Sequence, residues 1–138
     1  MLITPNFSTD EMQCQCGCGA NEMDDEFMKM LQSLREEAGF AFRLSSARRC
    51  IKHNSNVSTA KTKAGIHTFG KAVDILVGHV NTTKILKLIK QAQDIGFTGL
   101  GLALRGARSK RFIHLDSRGI GGFDLEVDKP SLPAVWTY

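Results

Sequence analysis

The sequence predicts an α+β fold, a small and mostly antiparallel sheet with two main helices. Three observations point there. Residues 22–38 and the stretch after Asn81 carry helical periodicity, and each stops at a glycine, Gly39 and Gly96. Residues 40–44, 72–77, 100–104 and 112–116 alternate or run apolar in the manner of short strands. The chain has 138 residues, 42% hydrophobic and 23% charged, the makeup of one ordinary globular domain spanning 1–138. That composition excludes a disordered tail, a collagen-like chain and a coiled coil. No run of ~18 apolar residues is present, so no membrane insertion is expected.

Taken in order, Ser8-Thr9-Asp10-Glu11 fits a capping box with Phe7 as its staple. It predicts a short helix ending before the Cys-Gly cluster, where Gly17 and Gly19 force a turn. Phe27, Met30, Leu31, Leu34 and Ala38 form the apolar face of the 22–38 helix. Asp24, Asp25 and Glu26 suit the positive end of its dipole. Met23, Met28 and Met30 read as adaptable core filler rather than as a sulfur site. Phe40 to Leu44 is a strand. Residues 50–66 are polar and aperiodic and predict a long loop, a length that is functional or mobile in a compact domain. Ala72 to Val77 is an apolar strand with one acid inside it. Asn81-Thr82-Thr83 caps the second helix, with Ile85, Leu88, Ile89, Ala92 and Ile95 on one face. Two strands, Leu100–Leu104 and Phe112–Asp116, flank a basic turn from Arg105 to Arg111. The tail, with Pro130, Pro133, Trp136 and Tyr138, is expected to pack on the body. Repeats, linkers and low-complexity stretches are absent from the sequence.

Lys plus Arg total 18 against 14 Asp plus Glu, a net charge of +4. A basic balance favours an anionic partner such as nucleic acid, anionic lipid or cell-wall polymer. With one Tyr and one Trp there is no base-stacking platform. Arg105, Arg108, Lys110 and Arg111 read as a solvated hairpin tip, so nucleic acid is not the expected partner. The N-terminus lacks the basic and apolar regions of a secretory signal, which predicts cytoplasmic synthesis and reduced thiols there. No apolar interface stands out, and a monomer is expected.

Three residues carry the chemistry. His67 lies in the stretch Gly65 to Asp74, Asp74 inside an apolar strand, and His114 inside another. A buried carboxylate is costly unless it is paired, hydrogen-bonded or bound to metal. Two imidazoles and one carboxylate form a ligand set for catalytic zinc, with the fourth position open. Taken alone, each His reads more readily as a satisfied core or surface residue than as a ligand, and Asp74 reads as the partner of an arginine. His53 and His79 sit in polar loop contexts and are left out of the set. Cys14, Cys16 and Cys18 form C-x-C-x-C rather than a C-x-x-C knuckle, with Cys50 far off in sequence. If the segment near Arg49 folds back on the N-terminus, the four thiols form a Cys₄ zinc site. Disulfides, strained between Cys14 and Cys16, and free thiols are the other readings.

His67-x-x-Gly70-x-Ala72-x-Asp74 followed by Phe112-Ile113-His114-x-Asp116-x-Arg118 resembles the zinc D-Ala-D-Ala carboxypeptidases and L-Ala-D-Glu endopeptidases, which share the hedgehog/DD-peptidase fold. The short, phage-type branch is the nearest match. Phe7-Ser8 with Cys14-x-Cys16-Gly17-Cys18-Gly19 resembles its N-terminal signature. Ser46-Ala47-Arg48-Arg49-Cys50 followed by His53-Asn54 resembles its arginine stretch, and Gly99-Leu100-Gly101 and Trp136-Thr137-Tyr138 also fit. The resemblance covers nearly the whole chain in the expected order.

The resemblance implies one catalytic zinc held by His67, Asp74 and His114. Arg49 would act in catalysis and bind the substrate's carboxylate or carbonyl oxygen, with Ser46 beside it in the groove. The reaction would be hydrolysis of a D-amino-acid-containing bond in the peptidoglycan stem peptide. Relatives place an acid three residues before the last His or a His two before it. Here those positions are Arg111 and Phe112, which cannot take a proton. Asp116 shares a strand face with His114 and stands as the substitute base, or equally as an orienter of His114 paired with Arg118. Gly65 replaces a common Ser, Ala47-Arg48 replaces a Gly-Tyr pair, and residues 55–64, with Lys61 and Lys63, lack the usual glycines. The implied setting is an endolysin or virion-associated lysin, reaching the wall at lysis or from the virion. The rival expectation is a non-catalytic wall-binding or virion structural module on the same fold.

Overall fold

The computed structural model describes residues 1–57, 65–121 and 132–138. Lys61, Lys63 and Pro130 lie outside them. The chain begins with β1 (Leu2–Thr4) and β2 (Phe7–Ser8), an antiparallel pair. The helix expected after Ser8 is not there; turns follow instead. The capping-box bonds do form, the Ser8 amide donating to Glu11 Oε1 at 3.0 Å and the Glu11 amide to Ser8 Oγ at 3.4 Å. The segment before the Cys-Gly turn is too short to repay helix nucleation, and Ser8 is claimed by strand pairing.

Helix α1 (Asp25–Ala38) and helix α3 (Thr82–Ile95) match the two periodic segments. Helix α1 starts three residues later than expected because Asp24 is its cap, accepting from the Phe27 amide at 2.9 Å. Asn81 caps α3 in the same way, accepting from the Lys84 amide at 2.9 Å. Between them, β3 (Arg43–Ser46) overlaps the predicted strand at Arg43 and Leu44, starting three residues later and ending two residues later. The region predicted as loop contains α2 (Ile51–Val57). Only Asn54 of α2 is buried, so the helix has no apolar stripe for the sequence to show.

Strands β4 (Ala72–Leu76), β5 (Gly99–Ala103) and β6 (Phe112–Asp116) fall where the pattern put them. The tail forms β7 (Ala134–Thr137), which pairs parallel with β5. The main sheet therefore has the order β3-β4-β6-β5-β7 and is mixed, antiparallel except at that edge. Val73, Ile75, Ile113, Leu115 and Leu100 point to one face, where they bury against Phe27, Leu31, Leu34, Leu88, Ala92 and Phe97. Of the three methionines read as filler, Met28 is buried in the core and Met23 and Met30 pack against it half-buried. Strand alternation sends Ala72, Asp74, His114 and Asp116 to the opposite face.

Candidate metal centre

Register across the sheet assembles the site. Ser46 pairs with Asp74, Asp74 with His114, His114 with Gly101, and Gly101 with Trp136. Five strands thus contribute one residue each to a single cross-strand row. Glycine at 101 leaves room for Trp136 to reach across it to His114, at 5.2 Å between ring centroids. A Cβ at Gly101 would lie 2.7 Å from Trp136 Nε1 and 2.9 Å from Tyr138 Oη. His67 enters from a 3₁₀ turn, Ile66–Phe69, that ends at Gly70 with φ +68°. A Cβ there would meet Glu22 O at 2.6 Å, so the turn can end this way only at glycine.

His67, Asp74 and His114 are all buried, and their ligand atoms lie within 4.8 Å of one another. The second nitrogen of each imidazole is held elsewhere. His67 Nδ1 is 2.7 Å from Ala47 O, a carbonyl that can only accept, so Nδ1 carries the proton and Nε2 presents a lone pair. That lone pair faces Asp74 Oδ1 across 3.4 Å. Burial lowers the His67 pKa and keeps the ring neutral. His114 Nε2 donates to Asp116 Oδ2 at 2.7 Å, while Nδ1 faces Asp74 Oδ1 at 3.0 Å. Burial pushes His114 down, but its bonds to Asp116 and Asp74 prevail and raise its pKa. Burial likewise opposes ionisation of Asp74, yet the two imidazoles hold it well below the usual carboxylate range.

The donor set fits a zinc ion. A neutral His67 nitrogen and a carboxylate oxygen face each other with no proton between them, and the second proton of His114 sits where a cation would displace it. Both remaining ring nitrogens are anchored, the usual support of metal-ligating imidazoles.

Asp116 lies beneath this cluster. It is 0% exposed and does not line the cleft. Arg118 grips it, Nη2 donating to Oδ2 at 2.6 Å and Nε to Oδ1 at 3.0 Å. Burial would raise its pKa, but the bonds from His114 and Arg118 bring it down to about 2. Gly99 makes room for it, since a Cβ there would fall 2.2 Å from Asp116 Oδ1.

A cleft of about 740 Å³ opens over the cluster. Arg49 lines it and donates to Ser46 Oγ at 3.0 Å, Asn54 Oδ1 at 3.3 Å and Asp74 Oδ2 at 3.3 Å. Sequence reasoning placed Arg49 and Ser46 here. It missed Trp136 and Tyr138, expected only to pack on the body, which line the cleft; His53 lines it too but, as expected, stands outside the ligand cluster. Arg118 stacks over Trp136 at 4.7 Å from the ring centroid. His79 stays apart, at a second depression beside Arg43 and Arg108.

The four cysteines also come together, their sulfurs within 4.8 Å of one another. Burial raises the Cys14 thiol, but the amides of Cys16 and Cys50 and the neighbouring thiols lower it to about 7. The Cys18 amide favours a thiolate at Cys16, but the thiols of Cys14 and Cys18 push that group up to about 12.

No curated protein sequence matches the chain. The sequence profile described as Peptidase M15 matches residues 5–116, a span that takes in all three cluster residues, Arg49 and the four cysteines. The chain therefore belongs to the peptidase M15 family of zinc-dependent metallopeptidases, whose α+β fold it shares.

Proposed function

We propose that this chain is a zinc peptidase that cuts a D-amino-acid-containing bond of the peptidoglycan stem peptide, as a D-Ala-D-Ala carboxypeptidase or L-Ala-D-Glu endopeptidase, in a phage-type lysin. The observation that carries the reading is the anchored His67–Asp74–His114 cluster at the floor of an open cleft with a guanidinium on its wall. His67 Nε2, Asp74 Oδ1 and His114 Nδ1 would hold the metal. When bound, zinc supplies Lewis-acid polarisation of the scissile carbonyl and acidifies a water.

The remaining work belongs to the chain's own groups. Arg49 presents a planar fork suited to a substrate carboxylate, the group that a stem peptide carries at its terminus and at D-Glu. Ser46 and Asn54 orient that fork. Trp136 and Phe112 offer apolar walls for alanine methyls. Asp116 acts through His114 by fixing which nitrogen is free, a positioning role rather than that of a base. The charge of +4 favours residence on an anionic wall and weakens with salt. Among the described residues, no helix is long and apolar enough to cross a membrane.

One observation favours the rival, a non-catalytic wall-binding or virion module. Among the described residues that line the cleft, Asp74 is the sole carboxylate. Digestion decides between the two. Zinc-loaded protein is incubated with purified peptidoglycan and with synthetic stem peptides, and products are read by mass spectrometry. The peptidase reading expects one new amine terminus, at D-Ala-D-Ala or at L-Ala-D-Glu, and no product from His114→Ala. Binding to sacculi without any cleavage by the zinc-loaded wild type would establish the module instead.

A further inference from the structure

Apart from the cleft, four sulfurs converge on the chain's N-terminal arm. Cys14 Sγ lies 3.4 Å from Cys16 Sγ and 3.8 Å from Cys50 Sγ, and Cys16 and Cys50 are 3.6 Å apart. Cys18 completes a set within 4.8 Å. None of the four is in a disulfide, which would require about 2.05 Å. These separations instead match the edge of a tetrahedron. With Zn–S near 2.3 Å, tetrahedral ligands stand roughly 3.8 Å from one another.

The backbone is already folded around this geometry. The Cys14 amide donates to Ala20 O at 2.7 Å and the Gly17 amide to Cys14 O at 3.2 Å, closing a loop that carries three of the gathered thiols. Two further amides, of Cys50 and His53, donate to sulfur, on Cys14 and Cys50 respectively, each at 3.4 Å. Such bonds stabilise thiolates, the form that ligates metal. The Arg48 amide, donating to Met12 O at 3.2 Å, adds a second tie between the same segments.

We propose that Cys14, Cys16, Cys18 and Cys50 bind a structural zinc ion that staples the N-terminal arm to the segment carrying Arg49. Four protein sulfurs close the coordination sphere and leave no position for substrate, which separates this site from the one in the cleft. Soft thiolates select zinc over hard cations such as magnesium or calcium. The ion fixes Cys50, whose chain neighbour is Arg49, and it fixes both flanks of Gln15, which lines the cleft. The link to Arg49 rests on the peptidase reading; metal binding by the four thiols does not.

The test uses full-length, reduced His67→Ala protein, in which the cleft cluster is broken, titrated with Co²⁺. The expected result is one cobalt per chain with an intense thiolate-to-cobalt charge-transfer band and tetrahedral visible bands. Adding Cys18→Ser, at an exposed thiol whose loss spares the core, should weaken cobalt binding at least ~10-fold. Circular dichroism checks that this variant is folded. Absence of the sulfur–cobalt band in folded protein overturns the proposal. So does an intact mass showing a disulfide in protein purified under reducing conditions. With His67 intact and both proteins assayed in zinc, Cys18→Ser should raise KM for a stem peptide over that of wild type more than it lowers kcat, and an unchanged KM overturns the link to Arg49. A protein that shows the band but cleaves no stem peptide keeps this site and loses the peptidase reading.

Discussion

At His114 the two ring nitrogens have different partners, and the difference makes a prediction. Asp116 holds Nε2 at 2.7 Å and is itself held by Arg118. In Asp116→Asn the amide keeps the shape but loses the charge that fixes the ring. Zinc affinity at the cleft should fall roughly 10–100-fold, as for other groups that orient a ligating imidazole. Turnover at saturating zinc should survive in part. A competition titration against a zinc-sensitive dye, run beside a turnover assay, separates this from a base, whose loss would abolish kcat with zinc affinity intact. Arg49 carries a second residue-scale prediction. Its fork spans Ser46, Asn54 and Asp74, which a lysine ammonium cannot reach together. Arg49→Lys should raise KM for a carboxylate-bearing peptide about 10–100-fold, the equivalent of one charged hydrogen bond at ~1.5–3 kcal/mol. An unchanged KM would place substrate elsewhere in the cleft.

At the scale of elements, β5 shapes the site by what it lacks. Gly101 lies in the functional row and Gly99 two residues away on the same face, opposite Asp116, and each leaves space that a neighbour fills. The two should respond differently to a methyl group. At Gly99 the obstacle is the carboxylate of fully buried Asp116, pinned by Arg118 and unable to retreat. Gly99→Ala should destabilise the fold by ~1–3 kcal/mol or more, read from the urea midpoint. At Gly101 the obstacles are the tips of Trp136 and Tyr138 on the edge strand β7, which can swing away. Gly101→Ala should cost less than ~1 kcal/mol but alter the emission of Trp136, the chain's sole tryptophan. Equal losses at both positions would contradict the packing described.

For the molecule as a whole, what the sequence showed and what it hid have physical reasons. Helices α1 and α3 were legible because each buries an amphipathic face and carries its own cap and glycine stop. The His67–Asp74–His114 cluster was legible in part, because an acid and a histidine inside apolar strands need an explanation, and the family resemblance completed the set. Helix α2 was not, since it buries only Asn54. Strand β7 was not, because a parallel edge pairing has no hairpin turn to announce it. With β7 hidden, the place of Trp136 and Tyr138 in the cleft was hidden too. The helix expected after Ser8 failed because a local cap cannot stand in for length.

Metal binding should register on the whole fold. Zinc at ~100 times its Kd adds about 2.7 kcal/mol to folding, a rise in Tm of roughly 10 °C for a chain of this size. Calorimetry with and without chelator measures it, and His67→Ala with Cys18→Ser together should remove the shift.

The most direct test of the central claim is anomalous diffraction at the zinc edge from crystals equilibrated with zinc. A peak is expected bounded by His67 Nε2, Asp74 Oδ1 and His114 Nδ1, with His114 Nε2 still bonded to Asp116. Full zinc occupancy elsewhere with no peak among those three atoms would contradict it.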